Sequence, residues 1–484
     1  MSARESGLYR QQAFIDGAWV GADSGASFAV RDPATGALLA EVPDQGVAEA
    51  RRAIAAAERA LPAWRGKTAK ERAQILRRWY ELMLAEQERL AHIITAEQGK
   101  PLTEARGEIA YGAAFIDWFA EEGRRSYGDI IPSQGRDKRI LVFKQPVGVT
   151  AAITPWNFPS AMIARKAGAA LAAGCTMVVK PAELTPLSAL ALADVAQRAG
   201  VPDGVLNVVT TNDPAAVGRE LTGNPIVRKI TFTGSTEVGK ILLRQAAENV
   251  QKCSMELGGN APFIVFEDAD LDLAVKGALA TKYRNSGQTC VCANRFLVHA
   301  SVADAFAEKL AAAASALKVA RGVEPGAVVG PLIEEAAAQK VERQVADALE
   351  RGAKLLTGGG RHALGGTFFC PTVLSGVDQD MLIFREETFG PVAAVIPFES
   401  EDEAIRLANS TQYGLASYFY SRDVAKIFRV AEALDFGMVG VNESLISSEA
   451  APFGGIKQSG MGREGSKYGI DDYLEIKYVC LGNM

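Results

Sequence analysis

Residues 148–180 read GVTAAITPWNFPSAMIARKAGAALAAGCTMVVK, the part of the chain in which a fold is easiest to recognise. The run 148–153 is rich in β-branched and small apolar residues and predicts a buried strand. The apolar stretch between Lys166 and Lys180 predicts a buried helix that leads into a second strand at 176–179. At about 13 residues this stretch is too short to span a bilayer, which needs roughly 20. The order strand, helix, strand indicates a β-α-β unit.

Strand and helix patterns alternate on both sides of this unit. Further β-branched runs lie at 205–209, 229–232 and 261–266. Helical patterns lie at 47–62, 69–98, 102–124, 187–199, 271–284, 302–317, 335–352, 401–409 and 423–435. This alternation, from about 146 to 320, predicts the α/β class with a parallel sheet.

The two ends of the chain carry strand patterns of another kind. Near the start, 13–20 predicts a hairpin whose turn is Asp16-Gly17. Near the end, 473–480 alternates apolar and polar residues, and an exposed strand of this kind is prone to aggregation unless it is paired. Pairing with a neighbouring subunit would protect it, so we expect a homodimer or homotetramer. Pairing within its own chain is an equally open alternative.

Length and composition are typical of an ordinary globular chain. With 484 residues, about two or three domains are expected. The chain is 48% hydrophobic and 23% charged with a net charge of -5, which gives no electrostatic reason to expect nucleic acid or an anionic membrane as a partner. Residues 1–10 lack the apolar core of a secretory signal, so we expect a cytoplasmic protein.

Cysteine and histidine are sparse, which limits the chemistry. Six cysteines are too few for a disulfide scaffold and fit a reducing compartment. His92, His299 and His362 are scattered without zinc-binding spacing, so we expect no metal site. Their scarcity also argues against histidine as a general base, which leaves cysteine, glutamate, lysine and backbone groups.

Cys290 is a candidate nucleophile. It follows Asn285-Ser286-Gly287-Gln288-Thr289, a turn of glycine and small polar residues after a helical pattern. Such a turn could expose the thiol and direct backbone N–H groups at it, which would lower its pKa. The competing interpretation is that Cys290 is a small buried hydrophobic residue, as most cysteines are.

Three further turns carry polar groups suited to such chemistry. Glu256 precedes a Gly-Gly turn and could be a general base, or simply an exposed loop acid. Gly234 and Ser235 lie where a strand ends and a helix begins; free N–H groups there suit a pyrophosphate, although a plain capped helix would look the same. Asn157, between two prolines, could donate a hydrogen bond to an oxyanion or could merely pack in a turn.

Together these segments resemble, in order and spacing, the motifs of the aldehyde dehydrogenase superfamily, over nearly the whole chain. The matching motifs are Pro155-Trp156-Asn157-Phe158-Pro159, Val179-Lys180-Pro181-Ala182-Glu183, Phe232-Thr233-Gly234-Ser235, Glu256-Leu257-Gly258-Gly259, Gly287-Gln288-Thr289-Cys290, Glu386-Glu387-Thr388-Phe389-Gly390-Pro391 and Pro452-Phe453-Gly454-Gly455. The resemblance implies a Rossmann-type cofactor domain, an α/β catalytic domain and a small β oligomerisation element.

The resemblance also implies residue roles. Cys290 attacks the aldehyde carbon, Asn157 and the Cys290 backbone N–H hold the oxyanion, and Glu256 activates water to hydrolyse the thioester. The implied cofactor-binding residues are Trp156, Lys180, Glu183, Gly234, Ser235, Leu257, Glu387 and Phe389. Relatives that pass the acyl group to coenzyme A usually lack a glutamate at position 256, so a free acid is the expected product. A non-enzymatic structural role is disfavoured because the nucleophile and the base are both present.

A closer resemblance is to the succinate-semialdehyde dehydrogenases within this superfamily. The stretches that carry it are 158–166, 283–292, 445–448 and 462–470. It implies that Arg165, Arg284 and Ser447 bind the distal carboxylate of the substrate, for which arginine is well suited. Two alternatives stay open. The arginines could instead form salt bridges, and glutarate semialdehyde or a broader range of aldehydes could be used, because one methylene is worth only about 1 to 3 kcal/mol.

Glu183 and Cys292 bear on cofactor choice and regulation. A carboxylate at Glu183 can accept hydrogen bonds from the ribose hydroxyls of NAD and repels the 2′-phosphate of NADP. NAD is therefore the expected cofactor and NADP the alternative. Cys292 follows Cys290 closely in the chain and could form a disulfide with it that switches the enzyme off.

By the same resemblance the domains are discontinuous. The expected ranges are 1–124 and 146–255 for the cofactor domain, with 446–464 returning to it to close the substrate funnel, 256–445 for the catalytic domain, and 125–145 with 465–484 for the oligomerisation element.

Overall fold

The structure is a computed structural model that describes residues 9–483. Two expectations reach beyond this range: the missing secretory signal at the start, and the outermost ends of two predicted domains. Both concern residues 1–8 or 484 and lie outside the described part. Within residues 9–483, no helix is both long and apolar enough to cross a membrane.

Strands and helices alternate through most of the chain, which confirms the predicted α/β class. In chain order the strands are β1 (Ala13–Ile15), β2 (Ala18–Val20), β3 (Ser27–Arg31), β4 (Leu38–Pro43), β5 (Asp129–Ile131), β6 (Arg139–Pro146), β7 (Val149–Ile153), β8 (Thr176–Lys180), β9 (Leu206–Val208), β10 (Val227–Thr233), β11 (Lys252–Glu256), β12 (Ala261–Val265), β13 (Ala293–His299), β14 (Lys354–Thr357), β15 (Thr372–Ser375), β16 (Val392–Phe398), β17 (Ala416–Tyr420), β18 (Met438–Val441), β19 (Gly460–Met461) and β20 (Leu474–Leu481). The helices are α1 (Val47–Gly66), α2 (Ala69–Ala85), α3 (Gln87–Gln98), α4 (Leu102–Glu122), α5 (Ala161–Ala173), α6 (Pro186–Arg198), α7 (Pro214–Gly223), α8 (Thr236–Ala246), α9 (Leu271–Lys282), α10 (Ala300–Ser315), α11 (Glu335–Glu350), α12 (Leu382–Arg385), α13 (Glu401–Asn409), α14 (Val424–Ala433) and α15 (Tyr468–Asp471).

The largest sheet has the strand order β19-β11-β10-β7-β8-β9-β1-β2. The central strands β11, β10, β7, β8 and β9 are parallel. Every residue of β7 and β8 is buried, as expected for parallel strands covered on both faces by helices. The strands predicted from residues 148–180 are therefore correct, and they occupy the middle of this sheet.

The edge of this sheet includes the predicted N-terminal hairpin. β1 and β2 pair antiparallel, with Ile15 opposite Ala18. The turn residues Asp16 and Gly17 have φ angles of 55° and 76°. Positive φ at both turn residues is the requirement of a type I′ turn, which the Asp-Gly sequence favours.

The second sheet has the order β14-β15-β16-β13-β12-β17-β18. Its strands pair in parallel except for β14, which runs antiparallel to β15. The predicted strand at 261–266 is β12, which lies inside this sheet. Two layers of apolar side chains cover its faces, one centred on Phe263 and Phe296 and the other on Ile264 and Phe419.

The C-terminal strand β20 belongs to a small sheet with the order β20-β6-β5. It pairs antiparallel with β6 over its whole length, from Leu474 opposite Pro146 to Leu481 opposite Arg139. One edge of the strand is thus paired within its own chain. Its other edge is the end of this sheet and has no strand partner among residues 9–483, so pairing with a neighbouring subunit stays a prediction. The sheet also exposes large apolar side chains, with Ile130 at 80% and Ile476 at 73% exposure.

The helices differ from the predictions at several places, and α7 was not predicted. The pattern over 69–98 forms two helices, not one, because Glu86 leaves the helical conformation (φ -107°, ψ 18°). No glycine or proline marks this break; ion pairs from Arg89 and Arg198 hold the Glu86 carboxylate there. Helix α1 continues past its expected end at Pro62, since the Trp64 indole N–H in its last turn donates to the Leu171 carbonyl at 3.1 Å.

The parallel arrangement brings functional segments to one edge of the largest sheet. The carboxyl ends of β7, β10 and β11 point the same way, which is the edge where open α/β sheets bind ligands. The short strand β19 pairs antiparallel with β11, with Glu256 opposite Gly460. Through this pairing, the segment around Gly460 lies at the same edge of the sheet as Glu256.

Candidate active site

A cavity of about 380 Å³ lies at this edge and reaches toward the second sheet. Most residues predicted for the site line it: Trp156, Asn157, Arg165, Gly234, Ser235, Leu257, Arg284, Cys290, Glu387, Phe389 and Ser447. Lys180, Glu183, Glu256 and Cys292 are not among its lining residues. Tyr111, Phe158, Met162 and Phe453 also line it, and sequence reasoning assigned them no role.

The turn before Cys290 has an unusual backbone. Asn285, Ser286 and Gly287 have φ angles of 51°, 57° and 77°, three consecutive residues in the left-handed region. A Cβ at Gly287 would lie 2.2 Å from the Gly390 carbonyl oxygen, so only glycine fits there. Such strain persists only where surrounding contacts impose it, and it marks functional sites.

The thiol of Cys290 lies in the cavity wall and is partly buried. Burial, together with the negative charges of Glu387 and Glu256, raises the pKa of Cys290 to about 12. The turn was expected to lower this pKa, and that expectation was wrong. The carboxylates come from distant parts of the chain, and their effect outweighs that of the backbone N–H groups of the turn.

Asn157 is held firmly beside Cys290. Its side-chain Nδ2 donates to the Gln288 carbonyl at 3.0 Å. Its own backbone carbonyl accepts from Lys100 Nζ at 2.7 Å and from Asn285 Nδ2 at 3.0 Å. An amide NH₂ has two N–H donors, so one remains for a ligand in the cavity.

A buried ionic network supports the loop that carries Asn157 and the turn before Cys290. Lys100 and Glu108 form an ion pair at 2.6 Å with both side chains fully buried. Glu108 also accepts from the backbone N–H of Ser160 at the start of α5. Glu104 accepts the backbone N–H of Asn285 at 2.8 Å. Sequence reasoning missed this network because its members lie far along the chain from the motifs they hold.

Glu256 lies behind the cavity wall, 3% exposed. Neither of its carboxylate oxygens has a hydrogen-bond partner among residues 9–483. Burial raises the pKa of Glu256 well above its ordinary value; the charge of Glu464 adds to this rise and Arg165 opposes it. A buried carboxyl with unused acceptor and donor capacity suits a group that binds and activates water.

Glu464, which lies in the stretch 462–470 but was given no role from the sequence, is the centre of an ion-pair cluster next to Glu256. It pairs with Arg165 at 2.7 Å and with Lys166. Lys166 also donates to the Thr233 hydroxyl at 2.7 Å. Burial alone would raise the pKa of Glu464, but Arg165 and Lys166 lower it below its ordinary value. Arg165, predicted to bind substrate, therefore has a salt-bridge partner within the protein.

The far end of the cavity, which we name the distal end, contains Arg284, Ser447 and Tyr111. The Arg284 guanidinium lies 5.2 Å from the centre of the Phe158 ring. No ion pair within residues 9–483 includes Arg284. The distal end thus offers a cation whose charge is not committed to a salt bridge.

The opposite side of the cavity has the features of a nucleotide site. Ser235 caps α8 by accepting the Val238 backbone N–H at 3.3 Å, which places the helix N-terminus at the wall. Glu387 accepts the Gly259 backbone N–H at 3.0 Å, and burial raises its pKa to about 7. Phe389 packs edge-on against Trp156, with ring centres 5.5 Å apart.

Lys180 and Glu183 lie at the end of β8, the strand next to β7. Lys180 Nζ is 3.1 Å from Glu183 Oε2, and the Glu183 side chain is 36% exposed. A half-exposed carboxylate beside a lysine can reach ribose hydroxyls. The helix terminus, the Gly258 turn and this pair therefore fit a dinucleotide.

Comparisons with known proteins agree with this arrangement. The sequence profile of the Aldehyde dehydrogenase family matches residues 19–479. The chain belongs to the aldehyde dehydrogenase family. It is similar to the glutarate-semialdehyde dehydrogenase of Pseudomonas aeruginosa, with 62% identity over 484 residues and full coverage of both chains. It is also similar to the NADP-dependent succinate-semialdehyde dehydrogenase of Escherichia coli strain K12, with 61% identity over 482 residues and full coverage of both chains.

A solved structure resembles this aldehyde dehydrogenase along its entire length. The crystal structure of a succinate-semialdehyde dehydrogenase from Burkholderia pseudomallei matches with a TM-score of 0.98 and 64% identity, covering 100% of both chains. The family resemblance and the fold class predicted from the motifs are therefore confirmed.

In this aldehyde dehydrogenase Cys292 turns away from the cavity. It is 2% exposed, and its Sγ lies 3.6 Å from the carbonyl oxygens of Lys282 and Ala293. Burial raises the pKa of Cys292. A disulfide with Cys290 would require the thiol to leave this environment, and the redox switch stays a prediction.

Proposed function

We propose that this aldehyde dehydrogenase oxidises succinate semialdehyde to succinate, with NAD as the preferred cofactor and Cys290 as the nucleophile. One observation carries the proposal: a single cavity contains the thiol of Cys290 and, at its distal end, the guanidinium of Arg284, which has no ion-pair partner among residues 9–483. A short aldehyde that ends in a carboxylate can reach both groups, and a forked guanidinium matches a carboxylate in two-point contacts.

The reaction begins when Cys290 Sγ bonds to the aldehyde carbon and its thiol proton passes to solvent water. The carbonyl oxygen becomes an oxyanion, for which the free N–H of Asn157 Nδ2 and the Cys290 backbone N–H are the proposed donors. Asn157 needs little reorganisation to do this, because Lys100 and Gln288 already hold it on both sides. Preorganised donors of this kind stabilise charge at the moment it develops.

Bound NAD supplies the acceptor for the hydride that converts the Cys290 adduct to a thioester. Gly234 and Ser235 would hold its pyrophosphate, Glu387 and Phe389 its nicotinamide ribose and ring, and Lys180 and Glu183 its adenine-side ribose, with Trp156 and Leu257 lining the same cleft. Glu256 then takes a proton from water, and the resulting hydroxide breaks the carbon–sulfur bond to release the free acid and the Cys290 thiolate.

The preference for NAD rests on Glu183. Its carboxylate is half exposed, so it is free to accept hydrogen bonds from ribose hydroxyls, and NADP carries a phosphate in place of the 2′-hydroxyl. We expect Glu183→Ser to raise kcat/KM with NADP at least about tenfold while lowering it with NAD. Glu308→Ser, on an exposed face of α10, is the matched control. Comparable kcat/KM with both cofactors in the unmodified enzyme would contradict the preference.

Glutarate semialdehyde is the second candidate substrate, favoured by the 62% identity to a relative named for it. The test is a panel of two- to six-carbon aldehydes, with and without a terminal carboxylate, assayed with NAD in the absence of coenzyme A. Highest kcat/KM for the four-carbon semialdehyde supports the proposal. Highest kcat/KM for the five-carbon semialdehyde would make glutarate semialdehyde the proposed substrate. Equal kcat/KM for aldehydes with and without the terminal carboxylate would overturn the proposal.

We also propose that the protein forms a homodimer or a homotetramer. The discontinuous domains given above and a cytoplasmic location are further parts of the proposal. The support for association is the small sheet of β20, β6 and β5, whose Ile130 and Ile476 side chains stay largely exposed. Exposed apolar surface of this kind marks an interaction site. Light scattering of the purified protein tests it: a monomeric mass would contradict the proposal.

A further inference from the structure

Tyr111 is a polar residue at the distal end that no motif indicated. It lies on α4, and its side chain lines the same cavity as Arg284 and Ser447. Its ring packs edge-on against Phe115, with centres 5.1 Å apart, which fixes the direction of the phenol. The Tyr111 oxygen accepts from Arg165 Nη1 at 3.4 Å.

Arg165 is held within the protein. Its guanidinium is 2.7 Å from a Glu464 oxygen and stacks 4.1 Å from the centre of the Phe453 ring. Glu464 also pairs with Lys166, so it balances the charge of Arg165 only in part. Arg284 is the cation at this end that forms no ion pair within residues 9–483.

One guanidinium does not satisfy a buried carboxylate. An ionised carboxylate has about four acceptor positions, and leaving them unfilled in a dry site is costly. Besides Arg284, the cavity wall at this end carries two hydroxyls, those of Ser447 and Tyr111. Since the Tyr111 oxygen accepts from Arg165, its own O–H is available to donate.

We propose that the Tyr111 hydroxyl donates a hydrogen bond to the distal carboxylate of the substrate, beside Arg284 and Ser447, and so helps to select carboxylate-bearing aldehydes. The inference rests on the proposed function, which supplies the carboxylate. Burial raises the pKa of Tyr111, while Arg165 and Arg284 oppose this rise. The phenol therefore stays protonated at neutral pH and acts as a donor.

The test compares Tyr111→Phe with the unmodified enzyme, using succinate semialdehyde and butanal as substrates with NAD. Removing one hydrogen bond to a charged group should raise KM for succinate semialdehyde about tenfold, with kcat nearly unchanged. KM and kcat for butanal should not change, which also shows that the variant is folded. Tyr80→Phe, the same change on α2 away from the cavity, is the matched control.

Two results would overturn the inference alone. One is an unchanged KM for succinate semialdehyde; the other is an equal rise in KM for both substrates, which would mean a structural role. Failure of the proposed function has a different signature, because it is read in the unmodified enzyme: equal kcat/KM for succinate semialdehyde and butanal there would overturn both.

Discussion

The reacting end and the distal end of the cavity are built in different ways. At the reacting end, Cys290 follows a strained turn and Asn157 is held by Lys100 and Gln288, so backbone and buried ionic contacts fix the geometry. At the distal end, Arg284 and Ser447 present side chains whose charge and hydroxyl are available to a ligand. The difference teaches that chemistry needs fixed atoms, whereas selection of the substrate needs uncommitted polar groups.

The largest effect is expected at the reacting end, from Glu256→Gln. Without a base for water, steady-state turnover should fall about 10³-fold, while the first turnover still produces NADH as a burst of one per active site. Stopped-flow measurement of NADH would show this, with Cys290→Ala as the burst-free control. Steady turnover near that of the unmodified enzyme would remove Glu256 from the hydrolytic step.

Arg165 lies between the reacting end and the distal end of the cavity. Replacing it tests which of these two ends it serves. Arg165→Ala removes one of the two cations that pair with Glu464, so the free energy of unfolding should fall, but by less than the loss of about 3–5 kcal/mol expected when a buried charge loses its only partner. Activity should fall alike for succinate semialdehyde and butanal. Urea unfolding and substrate kinetics measure both effects. An unchanged free energy of unfolding, with activity lost only for succinate semialdehyde, would instead assign Arg165 to the distal end.

The pH dependence of Cys290 tests how closed the reacting end is. Its pKa is raised to about 12 by burial and by Glu387 and Glu256, so the thiolate fraction rises tenfold with each pH unit below that value. In the enzyme without cofactor, alkylation by iodoacetamide should therefore accelerate about 100-fold from about pH 7 to pH 9. Cys290→Ala corrects for other thiols such as the exposed Cys480. A rate that levels off near pH 8 would contradict the closed, anionic environment.

The sequence was sufficient for features that local residues determine. β-branched runs located β7 and β8, and Asp16-Gly17 located the first hairpin. Local sequence did not reveal the break at Glu86, because no glycine or proline marks it; its carboxylate pairs with Arg89, three residues later, and with Arg198 on α6. It also gave no information on which strand pairs with β20, since the partner β6 lies over 300 residues earlier.

The same distinction holds within the site. Motifs identified Cys290, Asn157 and Glu256 as candidates, and the structure brings them to one edge. The pKa of Cys290 was predicted in the wrong direction because burial, and after it the distant carboxylates Glu387 and Glu256, raise it. Tyr111 was missed because it lies in no recognisable motif, and Glu464 was given no role although it lies in the stretch 462–470. Only the packing of α4 against α5 brings Tyr111 to the cavity, and only the ion pairs with Arg165 and Lys166 show where Glu464 lies.

The central claim is that the distal end recognises a carboxylate through Arg284, independently of the chemistry at Cys290. The most direct measurement is kcat/KM of Arg284→Ala for succinate semialdehyde and for butanal. The account predicts a fall of about 10- to 100-fold for succinate semialdehyde, the worth of hydrogen bonds to a charged group, with butanal unchanged. An equal fall for both substrates would contradict it.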